Sequence, residues 1–436
     1  MLTLLGILIF AVGLLASIAL HELGHMAPAK KFGVKVPQYM VGFGPTLWSR
    51  KKGETEYGIK GIPLGGYIRM IGMFPPNPKG VQDREHLGRM GLMIEDARDE
   101  VLAEIAPEDE HRTFYRLSVP KKLTVMFGGP FMNLVIATIL FTISLSVIGR
   151  PEVTTTVSEV IACVPTTANP NGIASTSGTC DGGVSTPAAQ IGLSAGDKLL
   201  SVNGVEISTW QDLGIALADQ AGNVVQVTYL TSTGETVTKN VEVAALESPV
   251  INDSGDATGE FTIRGFLGVS PSFDLVQSPI SEVPGFMTSV TASSIAALFE
   301  FPARVFGLAG DLFTEAPRDP EGPVSVIGIG RISGEIASSE SVPAIYKVGD
   351  LITLLASVNL FLFVFNMVPV LPLDGGHIAG ALYEGARRQI ARVRRKTLPG
   401  PVDTAKMLPV AYVMSLVLLA MSAIVILADI IKPIAF

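Results

Sequence analysis

The chain has 436 residues, of which 48% are hydrophobic and only 17% charged, and its mean hydropathy is +0.44. A soluble globular protein carries about 25% charged residues, so the composition indicates a membrane protein. The net charge of −8 argues against a nucleic-acid-binding protein. The two cysteines, Cys163 and Cys180, are too few for a scaffold built on disulfides.

Four uncharged stretches are long enough to cross about 30 Å of hydrocarbon as helices that rise about 1.5 Å per residue. They comprise residues 2–20, 123–149, 351–373 and 407–428. The first stretch has no basic residue before its apolar run and no small-residue cleavage pattern at its end. We therefore interpret it as a retained helix rather than a secretory signal.

The charges of the connecting segments indicate which way these spans run, because basic residues favour the cytoplasmic side. Residues 27–123 carry 16 basic and 12 acidic residues, residues 372–407 carry 7 and 3, and residues 150–350 carry 8 and 23. Four spans satisfy all three counts if both termini and residues 150–350 lie outside. Spans one and three then both run from outside to inside.

A fifth span is the main competitor, because residues 283–299 are also uncharged. This stretch is rich in Ser and Thr, contains Pro284, and leads into Glu300, Arg304 and Asp311 among apolar residues. Such a pattern is typical of a helix that lies in the membrane interface. A fifth span would also send the basic segment outside, so we expect four spans.

A metal-binding pattern stands at the end of the first span, where the sequence reads His21-Glu22-Leu23-Gly24-His25. Two histidines four residues apart share one helix face, so both imidazoles can reach one zinc ion while Glu22 points at its open position. Ionisable residues at membrane depth indicate function by default. The chemistry that fits is metal-assisted hydrolysis, with Glu22 as the catalytic proton acceptor.

A catalytic zinc ion normally has three protein ligands, so a third is expected from a span that runs the same way as the first. Span three ends at Asp374, which topology brings toward the two histidines, and His377 follows as a rival ligand. His86 and His111 lie in a charged stretch, where a solvated surface role is expected.

Span three is interrupted just before its end by Asn366, Pro369 and Pro372. Proline removes a backbone donor and kinks a helix, and asparagine offers both a donor and an acceptor. The motif can therefore hold an extended substrate beside the zinc ion, or it can be a kink that only aims Asp374.

Glycine-rich runs between residues 39 and 75, including Gly65 and Gly66, predict β-hairpins. An open strand edge near the membrane could pair with an unwound substrate, and an ordinary cytoplasmic hairpin domain is the alternative. Gly128 and Gly129 near the start of span two allow close helix packing. The mixed charges of residues 80–112 predict a solvated amphipathic helix.

The outer segment predicts a small α+β domain, with strands at 153–160, 198–205, 224–230 and 235–243 and a helix at 209–220. Thr209 and Asp212 are expected to form a capping box at the start of this helix. On the oxidising outer side, a disulfide between Cys163 and Cys180 is expected. Two free thiols in a mobile insert at 166–185 are the alternative.

Together these motifs resemble the site-two protease family of intramembrane zinc metalloproteases, in its bacterial sigma-E-regulator branch. The resemblance rests on His21-Glu22-x-x-His25, Gly42-Phe43-Gly44, Gly65-Gly66-Tyr67, Gly129-Pro130 with Asn133, Gly192-Leu193 with Gly196-Asp197, and Asn366-x-x-Pro369 before Leu373-Asp374-Gly375.

This resemblance implies that Asp374 is the third ligand of one zinc ion and that Asn366 assists substrate binding. It also implies a re-entrant hairpin that guides the substrate, with Pro369, Gly65 and Gly66 as further substrate-binding candidates. Implied partners are membrane lipid and single-span membrane proteins, such as anti-sigma factors and remnant signal peptides, in a bacterial inner membrane.

We therefore expect a polytopic α-helical membrane protein with four transmembrane helices, a cytoplasmic-side re-entrant β-hairpin region and an extracytoplasmic α+β PDZ-like domain. The expected active site lies near the cytoplasmic side, and the oligomeric state stays open. The expected segments are 1–27 (first transmembrane helix), 28–122 (hairpin region and charged helix), 123–149 (second), 150–270 (PDZ-like domain), 271–350 (interfacial helical segment), 351–374 (third), 375–406 (basic cytoplasmic loop) and 407–431 (fourth).

Two other classes of protein remain as alternatives. A membrane adaptor or chaperone would use a structural zinc ion and bind through its PDZ-like domain. However, a structural site is normally closed by four ligands, and Glu22 is then unexplained. A metal transporter would need further ionisable residues within its spans, and spans two to four have none before Asp374.

Overall fold

The structure is a computed structural model that describes residues 2–77, 87–165, 172, 180, 183–251, 257–312, 314, 318–319, 322–339 and 342–434. His86 and most of the insert at 166–185 lie outside these residues. The chain divides into two compact units, one formed by Met1–Ile148 with Gln277–Phe436 and the other by Gly149–Val276.

In chain order the elements are α1 (Leu2–Lys31), β1 (Gln38–Lys52), β2 (Thr55–Arg69), α2 (Arg89–Ala103), α3 (Val119–Thr142), β3 (Arg150–Val160), α4 (Pro187–Gln190), β4 (Lys198–Val202), β5 (Val205–Glu206), α5 (Trp210–Ala218), β6 (Val224–Leu230), β7 (Thr236–Glu242), β8 (Ala244–Ile251), β9 (Ala257–Phe266), β10 (Val269–Val276), α6 (Val283–Asp311), α7 (Val326–Ser338), α8 (Ala344–Asn366), α9 (Asp374–Val393) and α10 (Leu408–Ile431). A π-helical turn, Ile143–Ile148, continues α3.

Among the described residues, five helical segments are long and apolar enough to cross a membrane. They are Leu2–Lys31, Val119–Ile148, Ile280–Asp311, Ala344–Asn366 and Thr404–Ile431. The protein is therefore a multi-pass membrane protein, as predicted. The described residues contain one more helix of spanning length than the four spans predicted from the sequence, because α6 continues through Pro302 and the charged residues after it.

Helix α6 contacts the other helices of its unit at both of its ends. Near its start, Val283 and Met287 pack into a cluster with residues of α3 and α8. Near its end, Val305 and Leu308 pack against α10 around Val425. Because α6 is 29 residues long, at about 1.5 Å per residue its two ends, and so its two contact sites, lie about 40 Å apart along the helix axis.

Helix α1 lies in close contact with its neighbours through small residues. A Cβ atom at Gly24 would lie 2.3 Å from the carbonyl oxygen of Gly128, so the backbones of α1 and α3 touch at this crossing. Small residues let helices approach in this way within a membrane. In addition, the Asn359 amide of α8 donates to Ser17 Oγ at 3.0 Å. These contacts fix α1 between α3 and α8.

Strands β1 and β2 both bend, so that the hairpin forms a small curved sheet. Residues 38–41 pair with 56–59 on one side and with 66–69 on the other. The bend in β1 falls at Gly42 and Gly44, whose φ values of +92° and +81° favour glycine. The predicted hairpin is thus observed, and its second half runs beside α1.

In the second unit, one sheet has the strand order β10-β3-β4-β6-β7 with β5 added to β4, and β8 pairs with β9 in another. Its core includes Val157, Leu199 and Val225 from the sheet and Leu213 from α5. The unit extends beyond residue 270 because β10 pairs with β3. It is an α+β domain, as predicted from the alternating patterns.

Two local predictions for this domain agree with the structure. Thr209 and Asp212 form a capping box at the start of α5. Cys163 and Cys180 form a disulfide with a Cα–Cα distance of 5.6 Å, which decides between the two alternatives for these cysteines.

Two segments differ from the sequence-based expectation. Residues 375–406 were expected to form a loop, but most of them form the helix α9, whose Ala and Arg residues favour helix. The charged helix α2 is not wholly solvated. Arg98 is 2% exposed and donates to both carboxylate oxygens of Asp403, at 2.9 and 2.8 Å.

Candidate metal centre

Three side chains from two helices converge beside the second half of α1. The Nε2 atoms of His21 and His25 both lie 3.3 Å from Oδ2 of Asp374, and 3.2 Å from each other. Within the described part of the chain, these residues form the one group of three or more His, Cys, Asp or Glu that could hold a metal ion. The i and i+4 spacing on α1 therefore gives the geometry that the sequence predicted.

The geometry of these atoms fits a zinc ion. A tetrahedral ion with ligand bonds of about 2.0–2.1 Å holds its ligand atoms about 3.3 Å apart, and the observed separations are 3.2 and 3.3 Å. Two imidazole nitrogens and one carboxylate oxygen are also a donor set that zinc prefers. The residues present thus suit one zinc ion with a position left for water.

The ring of His25 is oriented by α3. Its Nδ1–H donates a hydrogen bond to the carbonyl oxygen of Val125 at 2.8 Å, which leaves the unprotonated Nε2 free to face the site. Gly129, one turn further along α3, lies directly against the ring, since a Cβ atom there would be 2.1 Å from Nε2. In contrast, Nδ1 of His21 is buried and has no hydrogen-bond partner in the described residues.

Asp374 reaches the histidines because it is the first residue of α9. The chain before it folds back on the start of that helix. A Cβ atom at Gly375 would lie 2.2 Å from the Val368 carbonyl oxygen, and one at Gly376 would lie 2.5 Å from the Leu371 nitrogen. The two glycines are therefore needed for this tight reversal. A carboxylate at a helix N-terminus is also stabilised by the helix dipole.

Glu22 is 8% exposed and stands between the two histidines in the sequence. The hairpin approaches it at Gly66, where a Cβ atom would meet Glu22 Cγ at 3.0 Å and Ile18 Cγ2 at 3.1 Å. The absence of a side chain at residue 66 thus lets the second half of β2 run in contact with Glu22. Gly65 instead faces the ring of Phe43.

The rival ligand, His377, does not belong to the group of three. It lines a separate small cavity with Tyr115, Lys122, Glu384 and Thr404, and its burial lowers the pKa of its imidazole. Asn366 is the last residue of α8, and Pro369 lies in the turns between α8 and α9.

Some contributions to the site were not predicted from the sequence. The Val125 carbonyl has no side-chain signal, because any residue carries the same group. The glycine pair Gly128-Gly129 predicted close helix packing, but it did not indicate that the ring of His25 is the group in contact with Gly129. The sequence did not predict α9, the helix that begins at Asp374.

The candidate zinc site lies on a helix of spanning length, and the start of a second helix completes it. Such an arrangement indicates an intramembrane zinc metalloprotease. Residues 9–409 match peptidase family M50, so the chain belongs to this family of site-two proteases. It is 33% identical to zinc metalloprotease Rip1 of Mycolicibacterium smegmatis, over 99% of this chain and 98% of the relative.

Other relatives agree with this assignment. Zinc metalloprotease Rip1 of Mycobacterium tuberculosis is 30% identical over 98% of both chains. Metalloprotease MmpA of Caulobacter vibrioides is 25% identical over 89% of both chains. The predicted family and the predicted zinc-dependent protease activity are thus confirmed. The adaptor and transporter alternatives are not favoured by any of these relatives.

Proposed function

We propose that His21, His25 and Asp374 are the zinc ligands of this protease and that Glu22 is its catalytic proton acceptor. The observation that carries the proposal is the convergence of the three ligand atoms, all within 4.8 Å of one another. A bound zinc ion supplies Lewis acidity and a water of lowered pKa. The Glu22 carboxylate accepts the proton of the attacking water and later delivers it to the leaving amine.

The substrate enters as an extended strand beside residues 66–69. A helical span hides its carbonyl groups in its own hydrogen bonds, so it must unwind before hydrolysis. Strand addition would compensate the freed backbone groups. Gly66 supports this position because the backbone there lies against Glu22. Asn366 and Pro369, in the reversal before Asp374, are proposed to hold the other side of the same strand.

The membrane topology that fits best has four spans, α1, α3, α8 and α10, with both termini and residues 150–350 outside. The charge counts of the connecting segments support it. The Cys163–Cys180 disulfide supports an oxidising outer compartment for the β-rich unit.

Helix α6 is proposed to lie in the outer interface rather than to cross. In this topology, both of its ends contact the outer halves of spans. One face exposes Phe299 and Phe306, which are 82% and 75% exposed. A different face carries the Glu300–Arg304 ion pair. An apolar face toward lipid beside a charged face toward water is typical of an interfacial helix.

By the resemblance to its family branch, the enzyme is proposed to act in a bacterial inner membrane on single-span proteins, such as trimmed anti-sigma factors and remnant signal peptides. Residues 149–276 are proposed to be a PDZ-like domain that filters substrates by size. Peptide capture by this domain remains the alternative, because the insert at 166–185 interrupts the region of a peptide-binding loop.

The roles of the site residues are tested with the full-length enzyme in proteoliposomes. Glu22→Gln is expected to keep the zinc content and to stop cleavage, because it removes only the proton acceptor. Asp374→Ala is expected to lose zinc, whereas the matched variant His377→Ala retains it. Normal cleavage by Glu22→Gln, or normal zinc in Asp374→Ala, would overturn the assignment. Crosslinking of the Glu22→Gln enzyme in cells then identifies the bound substrate.

A further inference from the structure

A buried ion pair joins α9 to α3 away from the metal centre. Lys122 Nζ lies 2.8 Å from Oε2 of Glu384, and the two side chains are 7% and 2% exposed. The same carboxylate oxygen accepts from the Val402 backbone N–H at 3.1 Å, and the Arg388 guanidinium lies 3.0 Å from the other oxygen. Such a buried pair is weak evidence for stability in general, so its position needs a separate explanation.

The two partners stand on the helices that complete the metal centre. Lys122 precedes Val125 by about one turn of α3, and the Val125 carbonyl orients His25. Glu384 follows Asp374 on α9, about 15 Å along the axis at about 1.5 Å per residue. A closed path therefore runs from Asp374 through α9, the ion pair and α3 back to His25.

We infer that the Lys122–Glu384 ion pair is a positioning device for the metal centre, which sets where Asp374 stands relative to His25. This inference rests on the ligand assignment proposed above. Asp374 sits at the very start of α9, after a run of turns, so the helix behind it determines its place. Neither Lys122 nor Glu384 belongs to the group of ligand atoms, so the pair acts through α9 and α3.

The contacts around the ion pair determine both the rotation of α9 about its axis and its position along that axis. Close to Glu384, a Cβ atom at Gly385 would lie 3.2 Å from Val119 Cγ1, so the two helices already approach closely there. Removing Lys122 takes the closer cation from the buried Glu384 carboxylate and leaves it with Arg388, whereas removing the Glu384 charge leaves the Lys122 ammonium buried without this partner. Water then enters or the helix shifts, and Asp374 moves with it.

The network extends to the charged helix α2, for which the sequence offered no role. Val402 bonds Glu384, and its neighbour Asp403 bonds the buried Arg98 of α2. The segment before α10 is thus held from both sides, and α2 supports the arrangement from the cytoplasmic side of the proposed topology.

The test measures zinc affinity rather than cleavage, with full-length Glu22→Gln enzyme in detergent and a competing chelating dye. In this background, Lys122→Met is expected to weaken zinc binding by about 10-fold, the lower end of the loss that follows removal of a group bonded to a metal ligand, because Lys122 acts on Asp374 only through α9. Lys122→Arg keeps the charge and is expected to stay within about threefold of the parent. Glu384→Gln keeps a side-chain oxygen that can accept the hydrogen bond from the Val402 backbone N–H. This variant gives a second test of the pair if Lys122→Met does not fold.

A double-mutant cycle separates the pair from two independent effects. The Lys122→Met/Glu384→Gln variant is expected to bind zinc no more weakly than the worse single variant, because one shared interaction is lost only once. Additive losses in zinc affinity would show that the two residues act separately and would overturn the inference.

The matched control is a second deeply buried ion pair, Arg318–Asp429, whose partners are 2.6 Å apart and each 3% exposed. Asp429→Asn is expected to lower the melting temperature about as much as Lys122→Met, with zinc affinity unchanged. An equal loss of zinc in both variants would mean general unfolding, and an unchanged affinity in Lys122→Met would mean a purely structural pair. Either result overturns the inference.

Asp374→Ala, measured in parallel, separates this inference from the proposed function. If that variant loses zinc and Lys122→Met does not, the positioning role fails while the ligand assignment stands. If Asp374→Ala binds zinc normally, the ligand assignment itself fails.

Discussion

Gly129→Ala tests how closely α3 supports the metal centre. An added Cβ atom would lie 2.1 Å from His25 Nε2, whereas ordinary contact begins at 3.4 Å. The imidazole must therefore move by about 1.3 Å or α3 must separate from α1. The second route is opposed by the direct backbone contact between Gly24 and Gly128. We therefore expect the ring to move.

The size of the effect follows from that displacement. A misplacement of about 1 Å costs about 10²-fold in rate, which corresponds to about 2.7 kcal/mol of activation free energy at about 1.36 kcal/mol per tenfold change. Moving the ring also breaks its 2.8 Å contact with the Val125 carbonyl. We expect kcat to fall by about 100-fold and zinc affinity to fall with it.

The assay is cleavage of a single-span model substrate in proteoliposomes, together with zinc titration of the same preparation. Gly307→Ala in α6 is the matched control, because a Cβ atom there meets nothing within 4 Å. It is expected to keep full activity and to gain a little helix stability. A folded Gly129→Ala enzyme with near-normal kcat and zinc affinity would refute the reasoning.

Three further predictions concern the metal and the cytoplasmic charges. A strong chelator is expected to abolish cleavage and added zinc to restore it; activity that survives full metal removal would contradict the zinc mechanism. Arg98→Met is expected to destabilise the fold by about 3–5 kcal/mol, because it leaves the Asp403 carboxylate buried without its partner, and an unchanged melting temperature would exclude this. The hydrogen bond from Lys35 holds the pKa of Asp109 below its ordinary value. The stability advantage of the wild type over Asp109→Asn is therefore expected to be full above the unfolded pKa of about 3.9 and to vanish as the pH falls through the lower folded value. A pH-independent difference in melting temperature would argue against this ion pair.

The prediction that His21 and His25 lie together rests on a local signal. The i and i+4 spacing of His21 and His25 determines a shared helix face in any helix. The sequence also placed Asp374 at the inner end of a parallel-running span, and the structure brings it to 3.3 Å from both histidines. Short-range residue patterns likewise predicted the capping box of Thr209 with Asp212 and the strands of the second unit.

Elements without a strong local signal were predicted less well. Residues 375–406 carry many charges and no long apolar run, so they suggested a loop, although most of them form α9. Arg98 looked like one solvated charge among many, because burial of a charged side chain depends on a partner 305 residues away in the sequence. No local pattern encodes such a partner.

The sequence by itself determined the family and the zinc chemistry, since these follow from residue type, spacing and hydrophobicity, and together with the family resemblance it indicated His21, Glu22, His25 and Asp374 as the candidate site residues. Only the tertiary structure decided what orients them. The carbonyl of Val125, the missing side chains at Gly66 and Gly129, and the buried pair of Lys122 with Glu384 act through contacts between distant segments. Such contacts depend on how the helices and the hairpin pack, because backbone groups and absent side chains acquire a role only from their neighbours.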